Sequence, residues 1–264
     1  MKLHYILLLF IGFFWAPQTL EAQSFSQEIG ITTGPVFFKS DYGLRKNRET
    51  NFGNVGLGVG LVHYINFAYS ADCQCYHSIR YFNNHFKLRT ELTYTETNLN
   101  HFGKEADKNT LGGLQLRSMH GKATTLEIGP SLEWYPFLIR ISERARDRKI
   151  APYLNLGINL VLYNPEVATD LPGRIGAINN TFNEFLAPFG EESYIDPSSG
   201  TTYALKGGAG ARYNITRRSS VLIDLRWTYY GNDFIDGLDH DNPQNKYNDW
   251  AFWINVGYVF YLNM

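Results

Sequence analysis

Read at period two, the segment 250–262 separates into two faces. Phe252, Ile254, Val256, Tyr258, Phe260 and Leu262 form an unbroken apolar and aromatic face. Trp253, Asn255, Gly257, Val259 and Tyr261 form a smaller, partly polar one. In a strand, successive side chains point to opposite sides, so this alternation predicts a strand with unlike surroundings on its two faces. Seven further segments repeat it, at about 27–38, 54–68, 84–98, 122–136, 150–163, 202–215 and 220–230. Each exceeds the roughly five to six residues usual in soluble sheets, and most reach the roughly 9–11 that cross a bilayer on a tilt.

The apolar face is continuous from segment to segment, and the charges collect on the other. The acids there are Glu28, Glu91, Glu127, Glu133 and Asp224; the bases are Lys87, Arg89, Lys206, Arg212 and Arg226. Five stand against five. Unpaired charges in a narrow interior are costly, so a balanced set predicts interlocking ion pairs. Glycines share that face, at Gly56, Gly58, Gly60, Gly208 and Gly210, as a crowded interior requires. The expected fold is all-β: an eight-stranded antiparallel up-and-down barrel, apolar outside and polar inside, spanning a membrane. Side chains can fill the interior of such a barrel. A lipocalin-like soluble barrel has the opposite polarity. The aromatics Trp134, Tyr153, Tyr163, Trp227, Trp253, Tyr258 and Tyr261 fall toward strand ends, as an interfacial girdle would.

The connections alternate in length. Those at 39–53, 99–121, 164–201 and 231–249 are long; 216–219 is very short and 137–149 moderate. Outer-membrane barrels carry long loops outside and short turns in the periplasm. The connection at 69–83 breaks this rule, being a periplasmic turn of loop length. The loop 164–201 holds Phe182, Phe185, Phe189 and Tyr194, and either covers the mouth or offers a binding surface.

Residues 1–22 read as a cleaved secretory signal: Lys2 and His4, an apolar run over 5–15, then Leu20-Glu21-Ala22. The mature chain, 23–264, is then one domain. Net charge is −1, which gives no ground for nucleic-acid binding. Aromatics make up 16% and Gly 24 residues, which favours β structure.

Candidate chemistry is sparse. Cys73 and Cys75 are the only cysteines, and a strained local disulfide, free thiols and a metal site with His63, His77 or His85 all remain open. Cys-x-Cys lacks the usual zinc spacing, so no metal is expected. Arg140, Arg144, Arg146, Arg148 and Lys149 make a basic turn on the expected periplasmic side, read either as a solvated turn or as a docking surface for an acidic partner or lipid headgroups. Ser118, His120, His101 and His240 lie in expected external loops, but loose Ser and His residues do not make a catalytic set. Gly207-Gly-Ala-Gly210 is followed by more alternation, not a helix, so no phosphate loop and no cofactor is implied.

The spacing Gly257-x-x-Phe260-x-Leu262 resembles the signal that outer-membrane barrels present to their assembly machinery. The chain as a whole resembles small outer-membrane barrels of flavobacteria and other Bacteroidota. The likeness lies in Glu28-Ile-Gly-Ile-Thr-Thr-Gly-Pro-Val36, Ser40-Asp-Tyr-Gly43, Val62-His-Tyr-Ile-Asn-Phe67, Asp72-Cys-Gln-Cys-Tyr76 and the last strand. More distantly it is similar to the barrel that anchors the type IX secretion and gliding apparatus. The resemblance implies an outer-membrane location, with lipid, the assembly machinery and a secretion-complex protein as partners. It names no activity. Two functions follow as expectations: a non-catalytic scaffold, or a narrow channel or small-ligand carrier.

Overall fold

A computed structural model describes residues 25–43, 48–69, 81–137, 149–189, 193–216, 218–239 and 248–262. The signal segment, Cys73, Cys75, Arg140, Arg144, Arg146, Arg148 and His240 lie outside them. Eight strands follow one another around a closed barrel: β1 (Phe25–Lys39), β2 (Val55–Tyr69), β3 (Phe86–Asn100), β4 (Met119–Trp134), β5 (Ile150–Thr169), β6 (Gly200–Asn214), β7 (Ser219–Tyr230) and β8 (Trp250–Tyr261). Every neighbouring pair is antiparallel, and β1 meets β8 from Glu28↔Tyr261 to Lys39↔Trp250. Closure leaves no free sheet edge.

Alternation sets the two faces. On β5, Leu154, Leu156, Ile158, Leu160 and Leu162 are exposed, while Asn155, Asn159 and Val161 are buried. The other strands repeat this, giving an apolar belt around the outside. Among the described residues three helices interrupt the connections: α1 (Arg48–Gly53), α2 (Tyr81–His85) and α3 (Leu111–Ser118). Thr110 caps α3, its hydroxyl accepting the Gly113 amide at 3.2 Å.

Several expectations need correction. Strand β5 continues six residues past Tyr163, through Pro165, to Thr169, where it pairs with Met119 of β4. His120 belongs to β4 rather than to a loop, and β3 reaches Asn100. The outer ends of β3, β4 and β5 therefore rise together above the belt. Of the girdle aromatics, Tyr153, Tyr163, Trp253 and Tyr261 point inward and are buried; Trp134, Trp227 and Tyr258 face outward. Nearness to a strand end does not decide the matter, because period two assigns the face first.

Candidate functional site: the filled lumen and its cap

The inward face changes character along β3 and β4. On β3 it runs Lys87, Arg89, Glu91, then Thr93, Thr95, Thr97, then Leu99; on β4, Glu133, Ser131, Glu127, Thr125, Ala123, Met119. Charge near the end that bears the termini gives way to hydroxyls in the middle and to apolar side chains at the far end. The barrel interior is thus a stack of chemically distinct layers.

All ten inward charges stand in one connected, buried network. Glu28 of β1 accepts Lys87 Nζ and Arg212 Nη1, each at 2.5 Å. Arg212 continues to Glu133 at 3.2 Å, and Glu133 to Arg89 at 3.2 Å. Arg89 also meets Asp224 at 2.9 Å and Glu91 at 3.0 Å. Arg226 joins Glu91, at 2.9 Å, to Asp224. Lys206 bridges Glu91 at 3.0 Å and Glu127 at 2.5 Å. Each of the ten is no more than 4% exposed. Removing any one member leaves a buried charge without full compensation, which is what makes such a network costly to break.

Tyrosines complete the layer. Tyr135 donates to Glu133 at 2.6 Å and Tyr230 to Glu127 at 2.9 Å. The Arg212 guanidinium lies 4.0 Å from the ring centre of Tyr64, and Arg89 lies 5.6 Å from the same ring. These aromatics carry no charge signal in the sequence. Their place on the inward phase of the alternation is the clue that finds them.

At the far end the connections fold over the mouth. Phe38, Tyr42, Leu99, Met119, Phe185 and Leu238 share an apolar cluster with Trp253 and Tyr230. Residues 183–185 form a short 3-10 turn that delivers Phe185, and Ile195 pairs with Leu238 across two connections. Of the two alternatives for the loop 164–201, its described part takes the first and covers the mouth. Asp236 ties the connection after β1 to the one after β7: its carboxylate accepts the amides of Asp41 and Leu238, both at 2.8 Å. Burial pushes the Asp236 carboxyl up to about 7, against the pull of those two amides, with Asp233's charge adding to the rise. Asp41, Asp233 and Asp239 bring carboxylate oxygens within 4.8 Å of one another at this rim. The spacing suits a hard cation, but acidic rims occur without one, so it assigns no ligand.

Among the described residues the candidates Ser118, His120 and His101 do not come together. The His120 ring faces the Ser118 carbonyl at 3.3 Å, not its hydroxyl, and stands 3.9 Å from Asp170. His101 packs against Tyr42 and Phe185 inside the cap. Lys149 is exposed just before β5, where its carbonyl accepts the Asn214 amide. Gly257 faces the lumen beside Thr32, while Phe260 and Leu262 face outward next to the β1–β8 seam.

The fold and its interior define a class: a small antiparallel barrel with an apolar exterior and a closed, ion-paired interior. No family model matches the chain, and no curated protein matches it. Among solved structures it is similar to Neisserial surface protein A, at 14% identity and a TM-score of 0.43, over 89% of this chain and 96% of that one. A major outer membrane protein of Thermus thermophilus is similar at 12% identity and a TM-score of 0.44, over 89% and 99%. The outer membrane protein OprG of Pseudomonas aeruginosa is similar at 13% identity and a TM-score of 0.36, over 90% and 97%. At these values no function carries over from them.

Proposed function

We propose that this chain is a non-catalytic integral barrel of a bacterial outer membrane, sealed along its axis, that works through its two rims as a scaffold or docking protein. The observation that carries this reading is the charge-balanced lumen beneath an apolar cap, inside a barrel whose outer wall is apolar. A protein built to pass solutes gains nothing from ten buried, mutually paired charges across its bore. The finer reading, a place in a secretion or gliding assembly, rests on the sequence resemblance. The basic turn with Arg144, Arg146 and Arg148 is the candidate contact on the periplasmic side.

The first test is heat-modifiable gel mobility of the protein from purified outer membranes. Folded small barrels resist detergent and migrate differently until boiled, and that shift is the expected result. Recovery of the chain in the soluble periplasmic fraction with no shift overturns the membrane reading. The scaffold role is tested next by capture of a stoichiometric partner, expected to be lost when Arg144, Arg146 and Arg148 are neutralised. A steady single-channel conductance that changes on substituting Arg89 or Glu127 favours the channel instead.

A further inference from the structure

An aromatic cluster closes the terminus-bearing end of the outer wall on one side. Phe25 of β1 meets Phe67 of β2 edge to face, with centroids 6.0 Å apart. Phe67 lies 5.2 Å from Phe82 of α2, and Phe82 stacks on Phe86 of β3 at 4.7 Å and 16°. Beside it, Tyr81 stacks on His85 at 4.1 Å, and its hydroxyl accepts the indole N–H of Trp134 at 3.1 Å. The short helix α2 therefore extends the outward faces of β1 to β4 by a further row of rings.

The helix is held in one orientation. Tyr135 donates its amide to the His85 carbonyl at 2.7 Å, and the His85 ring pairs with the Tyr135 carbonyl at 2.6 Å. Asn84 and His85 are buried, whereas Tyr81 and Phe82 remain 59% and 46% exposed. That polar clamp turns the two rings away from the barrel axis. Rings exposed to this degree, and continuous with an apolar belt, suit the acyl–headgroup boundary, where an aromatic body sits in hydrocarbon and a phenol reaches polar groups.

The depth agrees. A second cluster marks the far border of the belt, where Phe37 lies 5.9 Å from Phe52 and 6.3 Å from Phe252, and Trp227 lies 4.8 Å from Phe252. Strand β1 carries both levels, at Phe25 and Phe37. At about 3.4 Å per residue and a tilt of about 40°, they stand roughly 30 Å apart, the thickness of a bilayer's hydrocarbon core.

We propose that α2 is an in-plane anchor that seats the barrel in the periplasmic leaflet, its partner being the acyl–headgroup boundary of phospholipid. This rests on the outer-membrane reading. No Lys, Arg, Asp or Glu stands in α2, so the contact requires no anionic lipid.

Site-directed spin labels test it in a Cys73→Ser, Cys75→Ser background reconstituted into phosphatidylcholine nanodiscs. Phe82→Cys carries the probe, with Tyr81→Cys as a second placement in case the first does not fold. Leu156→Cys, in the middle of the belt, reports the membrane itself, and Lys108→Cys reports water. The expected result is a label at 82 lying roughly 5–10 Å below the phosphates, collided with by both oxygen and a nickel chelate. The depth is expected not to change when phosphatidylglycerol is added. A label at 82 as open to the chelate as that at 108, with 156 still in lipid, overturns the anchor and leaves the membrane reading standing. A label at 156 in water overturns both. Seating only with anionic lipid overturns the uncharged contact.

Discussion

The guanidinium of Arg226 lies 4.9 Å from the ring centre of Trp253. This contact joins the two halves of the interior: Arg226 belongs to the ion-pair network, and Trp253 to the apolar cap cluster. Its indole N–H donates to the Gly34 carbonyl at 3.1 Å, which fixes the ring across the bore.

Arg226→Met leaves Glu91 and Asp224 short of one buried counter-charge. Breaking a buried pair costs about 3–5 kcal/mol, so urea unfolding of the reconstituted barrel is expected at markedly lower denaturant. The pair Arg226→Met with Glu91→Gln is expected to lose less than the sum of the single changes, since the second removes the charge that the first strands. Strict additivity overturns the claim that the two act as one unit.

Gly58 is the seat of Trp253. A Cβ at position 58 would stand 2.8 Å from the indole ring, closer than side chains tolerate. Gly58→Val is expected to cost about 1–3 kcal/mol by overpacking and to displace the ring. The readout is the Trp253 indole N–H resonance, which moves as its bond to Gly34 is lost. An unshifted resonance with full stability counts against this packing.

Two seals, one ionic and one apolar, predict independence. Replacing 174–189 with a short Gly-Ser linker removes Phe185 and opens the cap. Planar-bilayer current is expected to stay at baseline, because the network beneath remains whole. Steady current from that variant places the barrier in the cap alone.

The cap has a pH dependence of defined sign. Asp236 stands at about 7 in the fold, against about 3.9 for a free aspartate. The folded state therefore holds more protons than the unfolded one between these values, and stability falls as pH rises through them. Its contribution is greatest at acid pH and is fully lost above the folded value. Hydrogen exchange at the Asp41 and Leu238 amides, corrected for intrinsic rates, is expected to be slower at low pH than at high. Asp236→Asn should abolish that difference, and also loosen the cap, since an amide nitrogen cannot accept a backbone N–H.

The strands were readable because a lipid-like exterior and a polar interior impose opposite demands on alternate residues. The ten lumen charges could be read for the same reason: each falls on the inward phase, and the two signs balance. Where the belt ends, the signal ends. Beyond Leu162 the outward residues of β5 are Asn164 and Glu166, and an inward Pro165 breaks the contrast, so the strand's last turns look like loop. The cap was hidden for a different reason. It is made by Tyr42, Phe185 and Leu238 from separate connections, and no local period brings them together. The layering was present all along, in the step from Arg89 through Thr95 to Leu99 on one strand, but it appears only when inward residues are compared by height.

Glu28 of β1 holds Lys87 of β3 and Arg212 of β6, and Arg226 of β7 holds Glu91 of β3. These partners are not on adjacent strands, so a flat or half-curled sheet keeps them apart. Glu28 then lacks both of its bases, and only pairs within a strand or between neighbours, such as Arg89–Glu91, Arg226–Asp224 and Arg89–Glu133, can form. Only a sheet rolled with its charges inward completes the set with Glu28–Lys87, Glu28–Arg212 and Arg226–Glu91. A barrel with the wrong curvature, or with its seam unclosed, therefore leaves the cross-bore pairs unmade and their charges uncompensated.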